Sequence, residues 1–442
     1  MVSRYHSRNM LTRRSALSLA GSLAGATALQ GQNRRAPEIA VSPDSPIGKL
    51  KSRRSEAKPI TQEERQSRMD KAQQLMRENK LDALVMIGGP TLEYFSNVRW
   101  WNSERLFVMV LPQKGEPFFV SPAFEKDRAL EQIARGPAGK YPHVMTWEED
   151  QSPYQTVAFG LKERGLTAGR LGLEESVKFV FADGIGKAVP AATLSAATAV
   201  TAGCRMLKSA NELALMQLAN NVTWEAYEAA WKSLRDGMTQ NDFAGLVSAA
   251  HQKLGFPGSA GVQVGEYSAL PHGSMQPQTI REGTILLMDG GCQVEGYQSD
   301  ISRTFVLGKP TDKMKQVFEI VHRAQDAALA AAKPGVPCDA VDAAARKVIV
   351  DAGYGPGFKY FTHRLGHGIG LEGHEWPYLT ANNTLTKDGK SIPLAPNMTF
   401  SDEPGIYIPG EFGVRLEDDM YITSDGAKLF TRQSPSLEQP FA

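Results

Sequence analysis

Apolar residues first become periodic near residue 61. Met69, Ala72, Leu75 and Met76 recur at helical spacing, and residues 83–87 form an unbroken apolar run closed by Gly88-Gly89, as a buried strand would be. Residues 106–111 and 118–120 are two further strand-like runs, and this alternation with helical stretches continues to about Val200. It predicts an α/β domain over 61–203. Within that stretch Arg99-Trp100-Trp101 could line a cleft, but the apolar area that two tryptophans bury favours a core or interface role.

Past residue 203 the pattern repeats at an offset of 98 residues, the separation of Met216 from Met314. Ala226 and Ala324, Gly237 and Gly335, and Gly255 and Gly353 match at the same offset, and Phe256 and Tyr354 match in kind. Each copy reads as a long helix, a glycine turn, a second helix ending in Gly-aromatic, a histidine-bearing segment and a strand pair. Two copies predict pseudo-twofold packing around one core, since a solenoid needs three or more. The expected class is α+β, with this second domain over 204–442.

Several apolar runs in the second domain end in acids. Residues 284–288 lead into Asp289, and a short connection reaches Asp300 at the head of residues 301–306. In the second copy residues 398–400 lead towards Glu403, and residues 414–416 lead into Glu417. Each copy thus offers two carboxylates from adjacent strands, and His367 in Gly366-His367-Gly368-Ile369-Gly370 adds an imidazole. Acids placed there are costly to bury without a counter-charge. Four carboxylates and one imidazole suit Mn, Fe, Co or Zn over copper or iron-sulfur chemistry, and two adjacent ions can activate one water for hydrolysis.

The N-terminus reads as an address. Thr12-Arg13-Arg14-Ser15-Ala16-Leu17 precedes a mildly apolar run to Leu29 with a small-residue site at Ala26-Thr27-Ala28, so residues 1–28 are expected to be a twin-arginine signal peptide directing export to the periplasm. Residues 29–60, rich in Arg, Pro, Ser and Lys, are expected to be linker, with folded structure beginning near Thr61. No later segment offers the ~18 apolar residues of a membrane span, so none is expected in the mature chain. A formal net charge of +1 over 442 residues gives no reason to expect a nucleic-acid partner. Cys204, Cys292 and Cys338 are too few and too far apart for a disulfide scaffold or a thiolate zinc site, and read as buried thiols.

These motifs resemble those of the pita-bread metallopeptidases, and within them the Xaa-Pro aminopeptidases and dipeptidases of the creatinase/prolidase type. The likeness covers about residues 205–430. It rests on Asp289 followed by Asp300-Ile301-Ser302-Arg303-Thr304, on the histidine motif from His363 to Glu375, on Glu403-Pro404-Gly405-Ile406-Tyr407 and on Arg415-Leu416-Glu417-Asp418. Leu270-Pro271-His272-Gly273 is similar to the family's substrate-histidine segment, and Met206-Leu207-Lys208-Ser209 with Glu212 to the start of its catalytic domain. The first domain resembles the creatinase-type N-terminal domain more loosely.

The resemblance implies that Asp300 and Glu417 bridge two divalent metals, Mn before Co, Fe or Zn. Asp289 then binds one of them, and His367 and Glu403 bind the other. Glu403 doubles as proton acceptor from the attacking water. His272 and His374 hold the peptide and stabilise the oxyanion, His363 shapes a proline pocket, and Arg415 and Tyr407 orient the carboxylates or the intermediate. The implied activity is hydrolysis of the Xaa-Pro bond at the N-terminus of dipeptides or short proline-containing peptides, by a homodimer. The same fold hosts a lyase branch acting on dimethylsulfoniopropionate and other non-peptidase hydrolases. Gly290-Gly291 after Asp289, with His374 in place, favours the peptidase branch over the lyase.

Overall fold

The computed structural model describes residues 41–381 and 389–442. The expected signal peptide and residues 29–40 of the expected linker lie outside the described residues. The rest of that linker is ordered on the body of the protein. Ile47 is buried, Ile60 is buried, and the Arg53 N–H donates to Leu254 O at 2.8 Å. Packed structure therefore begins before Thr61. A polar composition hid a segment held by two isolated apolar anchors and by backbone hydrogen bonds rather than by a periodic face.

The helix Gln62–Asn79 opens on a capping box in which Thr61 and Glu64 exchange side-chain and backbone hydrogen bonds. It leads into a six-stranded sheet built from β1 (Ala83–Ile87), β2 (Val108–Pro112), β3 (Phe118–Pro122), β4 (Val144–Trp147), β5 (Arg170–Leu173) and β6 (Thr193–Ala196). Spatial order is β4-β3-β2-β1-β5-β6, antiparallel through β1–β2–β3 and parallel elsewhere. Every residue of β1, β2 and β3 is buried, which is why they read as unbroken apolar runs rather than alternating ones. Trp100 is buried and stacks on Phe107 with centroids 3.9 Å apart, whereas Trp101 is 83% exposed. The core role holds for the first tryptophan alone.

The second part of the chain carries the repeat. Helices Ala210–Trp231 and Gln240–Leu254 of the first copy correspond to Asp312–Ala331 and Cys338–Asp351 of the second. The turn between each pair needs a left-handed residue, with φ 86° at Gly237 and 84° at Gly335, and so does the exit from each second helix, with φ 95° at Gly255 and 91° at Gly353. The first copy contributes β7 (Gly258–Val264), β8 (Ile285–Val294), β9 (Tyr297–Gln298) and β10 (Ile301–Val306), ordered β10-β8-β7 with β9 paired to β8. The second contributes β11 (Gly366–Gly368), β12 (Glu375–Leu379), β13 (Thr399–Asp402), β14 (Gly405–Ile408), β15 (Phe412–Arg415), β16 (Asp418–Ile422) and β17 (Ala427–Leu429). These form a five-stranded sheet ordered β12-β11-β13-β16-β17 and a β14–β15 hairpin.

The two copies meet along a seam. Ser302 pairs with Glu417 in an antiparallel bridge, and Thr304 exchanges hydrogen bonds with the backbone of Arg415. Arg303, fully buried, donates to Glu417 O at 2.8 Å and to Asp418 at 2.6 Å. A continuous apolar core runs from Met69 and Phe119 through Leu215 and Val222 to Ile369, so the first sheet shares its core with the repeat. The three cysteines are free and buried. No helix among the described residues is long and apolar enough to cross a membrane.

Candidate metal centre

The seam gathers the acids because strand pairing aligns them. Asp289 sits on β8 opposite Ser302 of β10, and Asp300 stands one residue before β10. Glu403 follows β13 and Glu417 precedes β16, whose mutual register places Asp402 opposite Asp418. His367 lies on β11, beside β13. Ligand atoms of Asp300, His367 and Glu417 fall within 4.8 Å of one another. Glu403 Oε1 is 3.3 Å from His367 Nε2, and the Ser302 hydroxyl lies 2.9 Å from Asp289 Oδ1 and 2.6 Å from Glu417 Oε2. All five sequence-derived ligands therefore converge on one point.

The electrostatics of this cluster call for a cation. Burial, reinforced by neighbouring acids, pushes Asp300 and Glu417 well above the usual carboxylate range, and burial raises Glu403 to about 7. His367 Nδ1 faces Gly368 O at 3.1 Å, so its proton belongs there and Nε2 presents a lone pair to Glu403 and Asp300. Burial, with His374 nearby, depresses His367 to about 3, which keeps that nitrogen unprotonated. Acceptors that face acceptors in a buried site, with one imidazole oriented by a backbone carbonyl, form a donor set that fits divalent ions.

Arg415 is the cation already present. It meets Asp289 at 2.6 Å and Glu417 at 3.8 Å, and donates to Ser302 Oγ and to the Tyr407 hydroxyl. Tyr407 in turn lies 2.7 Å from His363 Nε2. Burial lowers His363 to about 4 and raises Tyr407 to about 12, so this chain stays neutral apart from the guanidinium. His374 stacks on His367 with centroids 3.8 Å apart. The strand that follows it, β12, is anchored at its first residue by Glu375, which forms buried ion pairs with Arg205 and Lys208.

A cavity of about 700 Å³ opens over the cluster. His272, His363, His374 and Arg415 line it together with all five candidate ligands, while Tyr407 stands behind them. Three participants carried no assigned role in the sequence: Ser302, which joins Asp289, Glu417 and Arg415; Asp419, which accepts from the Asp300 N–H at 2.9 Å; and Arg364, which lines the cavity. Ser302 and Arg364 are visible only as positions within motifs already noted, and Asp419 only as an acid one residue past the last of them.

Residues 68–207 match the creatinase/prolidase N-terminal domain and residues 214–424 match metallopeptidase family M24. The Xaa-Pro dipeptidase of Lactobacillus delbrueckii subsp. lactis is 33% identical over 84% of this chain and 98% of its own length. The crystal structure of dipeptidase PepE from Mycobacterium ulcerans superposes with a TM-score of 0.79 at 32% identity, covering 86% of this chain and 99% of that one. A recombinant prolidase from Thermococcus sibiricus gives 0.73 at 28% identity, covering 83% and 96%. A creatinase-type N-terminal domain, a pita-bread catalytic domain and nearly full-length relatives together place the chain in metallopeptidase family M24.

Proposed function

We propose that the protein is a two-metal exopeptidase that hydrolyses the bond between an N-terminal residue and a following proline, in dipeptides or short peptides. The convergence of Asp289, Asp300, His367, Glu403 and Glu417 beneath one cavity carries this reading, and the Xaa-Pro dipeptidases among its relatives support the choice of substrate. Asp300 and Glu417 would be shared between the ions, Asp289 would hold one, and His367 with Glu403 the other. When bound, two such ions polarise the scissile carbonyl and acidify a water.

The chain's own groups do the rest. Glu403 would take a proton from the attacking water and return it to the departing proline nitrogen. His272 and His374 line the cavity where they donate to the oxygen that gains charge. Arg415 holds Asp289 and Ser302 in place, and through Tyr407 fixes the ring of His363 against the proline pocket.

Manganese is the metal we favour, among ions with overlapping affinity for this donor set. We also read the chain as exported by the twin-arginine route, as a homodimer, with domains over 61–203 and 204–442. The test of substrate class is kcat/KM for Ala-Pro, Ala-Pro-Ala and Ala-Ala with metal-reconstituted enzyme. Proline substrates should be far better, with activity lost to chelators and restored by Mn or Co. Equal rates for Ala-Pro and Ala-Ala would overturn the reading.

A further inference from the structure

A second cavity, of about 520 Å³, adjoins the ligand cluster. Asp289 and Asp300 line both cavities, whereas His272, His363 and Arg415 belong to the larger one. The floor of the second is the face of the β7–β8 pair that carries Asp289. Strand alternation puts Ser259 and Gly261 of β7 on that face with Asp289, Gly291 and Gln293 of β8, while Ala260, Val262 and Cys292 turn into the core. Beside Asp289 the floor is almost bare of side chains. Four glycines line this groove, and packing accounts for three of them. A Cβ at Gly258 would press on the His251 ring at 2.5 Å, one at Gly290 on Ser259 O, and one at Gly291 on Ser299 O. Gly261 is under no such constraint. Its Cβ would meet nothing nearer than Asp289 O at 3.8 Å, and its backbone is not left-handed. A glycine inside a strand weakens it, and one that neither packing nor φ demands marks a close approach by something else. Register sets Gly261 opposite Asp289, so a side chain there would stand about 5 Å from the Cβ of the aspartate and fill the groove.

We propose that Gly261 is a specificity residue: by leaving the groove open beside Asp289, it makes this protein select Xaa-Pro substrates whose first residue is large. The inference rests on the Xaa-Pro reading above and deepens it. In such a substrate the Cα of the first residue is bonded to the carbon under attack, about 1.5 Å away, so its side chain starts beside the ligand cluster. With proline on the His363 side, that side chain leaves on the other, over Asp289 and Asp300, where the groove begins. The groove falls in the size range of sites that enclose whole small molecules, roughly 300–1,000 Å³. A phenyl ring laid on its floor removes apolar surface from water, a gain that the methyl of alanine supplies only in small part. A branched side chain at position 261 would occupy the same space and reverse the preference.

The experiment compares wild type, Gly261→Ala and Gly261→Val, all metal-reconstituted, on Ala-Pro, Leu-Pro and Phe-Pro. For wild type, kcat/KM should rise in that order, with Phe-Pro about 10-fold above Ala-Pro. Gly261→Val should lower the ratio of Phe-Pro to Ala-Pro by about 10- to 100-fold, because the ring and the valine would compete for one space. Gly261→Ala should lower it by less, and it carries the test should the valine variant fail to fold. A stepwise shift of the size limit with the size of residue 261 is a result that mere support of the strand would not give. Wild-type enzyme that uses Ala-Pro as well as Phe-Pro would overturn the inference. So would an unchanged ratio in both variants, or a loss equal for all three substrates, which would assign the effect to Asp289 rather than to the groove. Proline release from none of the three by wild type would overturn the Xaa-Pro reading and this inference with it, whereas release that ignores the size of the first residue would overturn this inference alone.

Discussion

Removing the metals should make the protein sensitive to alkali. Burial raises Glu403 from 4.5 to about 7 in the folded chain, which means that the folded state binds this proton about 3 kcal/mol more tightly than the unfolded state. Between these two values the folded chain holds more protons than the unfolded one. Raising the pH through that window therefore removes stability, and above about 7 the whole contribution from this residue is lost. Asp300 and Glu417 are displaced in the same direction, and Asp419, raised to about 8 by burial, extends the window upward. Divalent ions reverse the sign, because they bind the ionised carboxylates and compete with the protons. Thermal unfolding of chelator-treated protein should fall by several degrees from pH 5 to pH 8, while the manganese-saturated protein should not fall. Glu403→Gln, which cannot ionise, should flatten the metal-free slope. A metal-free melting temperature that is level or rises over that range would refute the electrostatic account of the site.

Three further outcomes are expected. Glu403→Gln or His367→Ala, with metal content verified, should lower turnover at least ~10²-fold and leave the circular dichroism spectrum unchanged; near-wild-type turnover would sink the two-metal mechanism. Arg303→Met breaks a pair in which both side chains are fully buried, so urea unfolding should show about 3–5 kcal/mol lost, with much of it recovered in the Arg303→Met/Asp418→Leu double variant; a neutral single variant would contradict the pairing. Replacing Arg13 and Arg14 with lysine should leave unprocessed protein in the cytoplasm, and an unchanged mature form in the periplasmic fraction would show the address to be misread.

The parts legible in the sequence were those carried by local pattern. Residues 83–87 announced β1 because a strand buried on both faces needs apolar side chains throughout. The glycines at 237, 255, 335 and 353 announced the repeat because left-handed turns tolerate little else. The acids at 289, 300, 403 and 417 stood out because each adjoins a run of buried strand. Contacts between distant positions were not legible. Ser302 became the hub of Asp289, Glu417 and Arg415 only when β10 of one copy met the hairpin of the other. Likewise nothing around Val41–Ile60 signals that Arg53 will find Leu254, some 200 residues away, since one backbone hydrogen bond leaves no mark on composition.

The bridge between Ser302 and Glu417 has a consequence for how the centre comes into being. The carboxylates are divided two and two across the seam, and the imidazole belongs to the second copy. A growing chain that has made only its first copy can present Asp289 and Asp300 but no nitrogen and no opposing acids. Capture of an ion pair is therefore a late event, reporting the docking of the halves rather than the folding of either. In a refolding experiment, the return of activity would time that docking, while helix formation in the separate copies would register earlier and on its own clock.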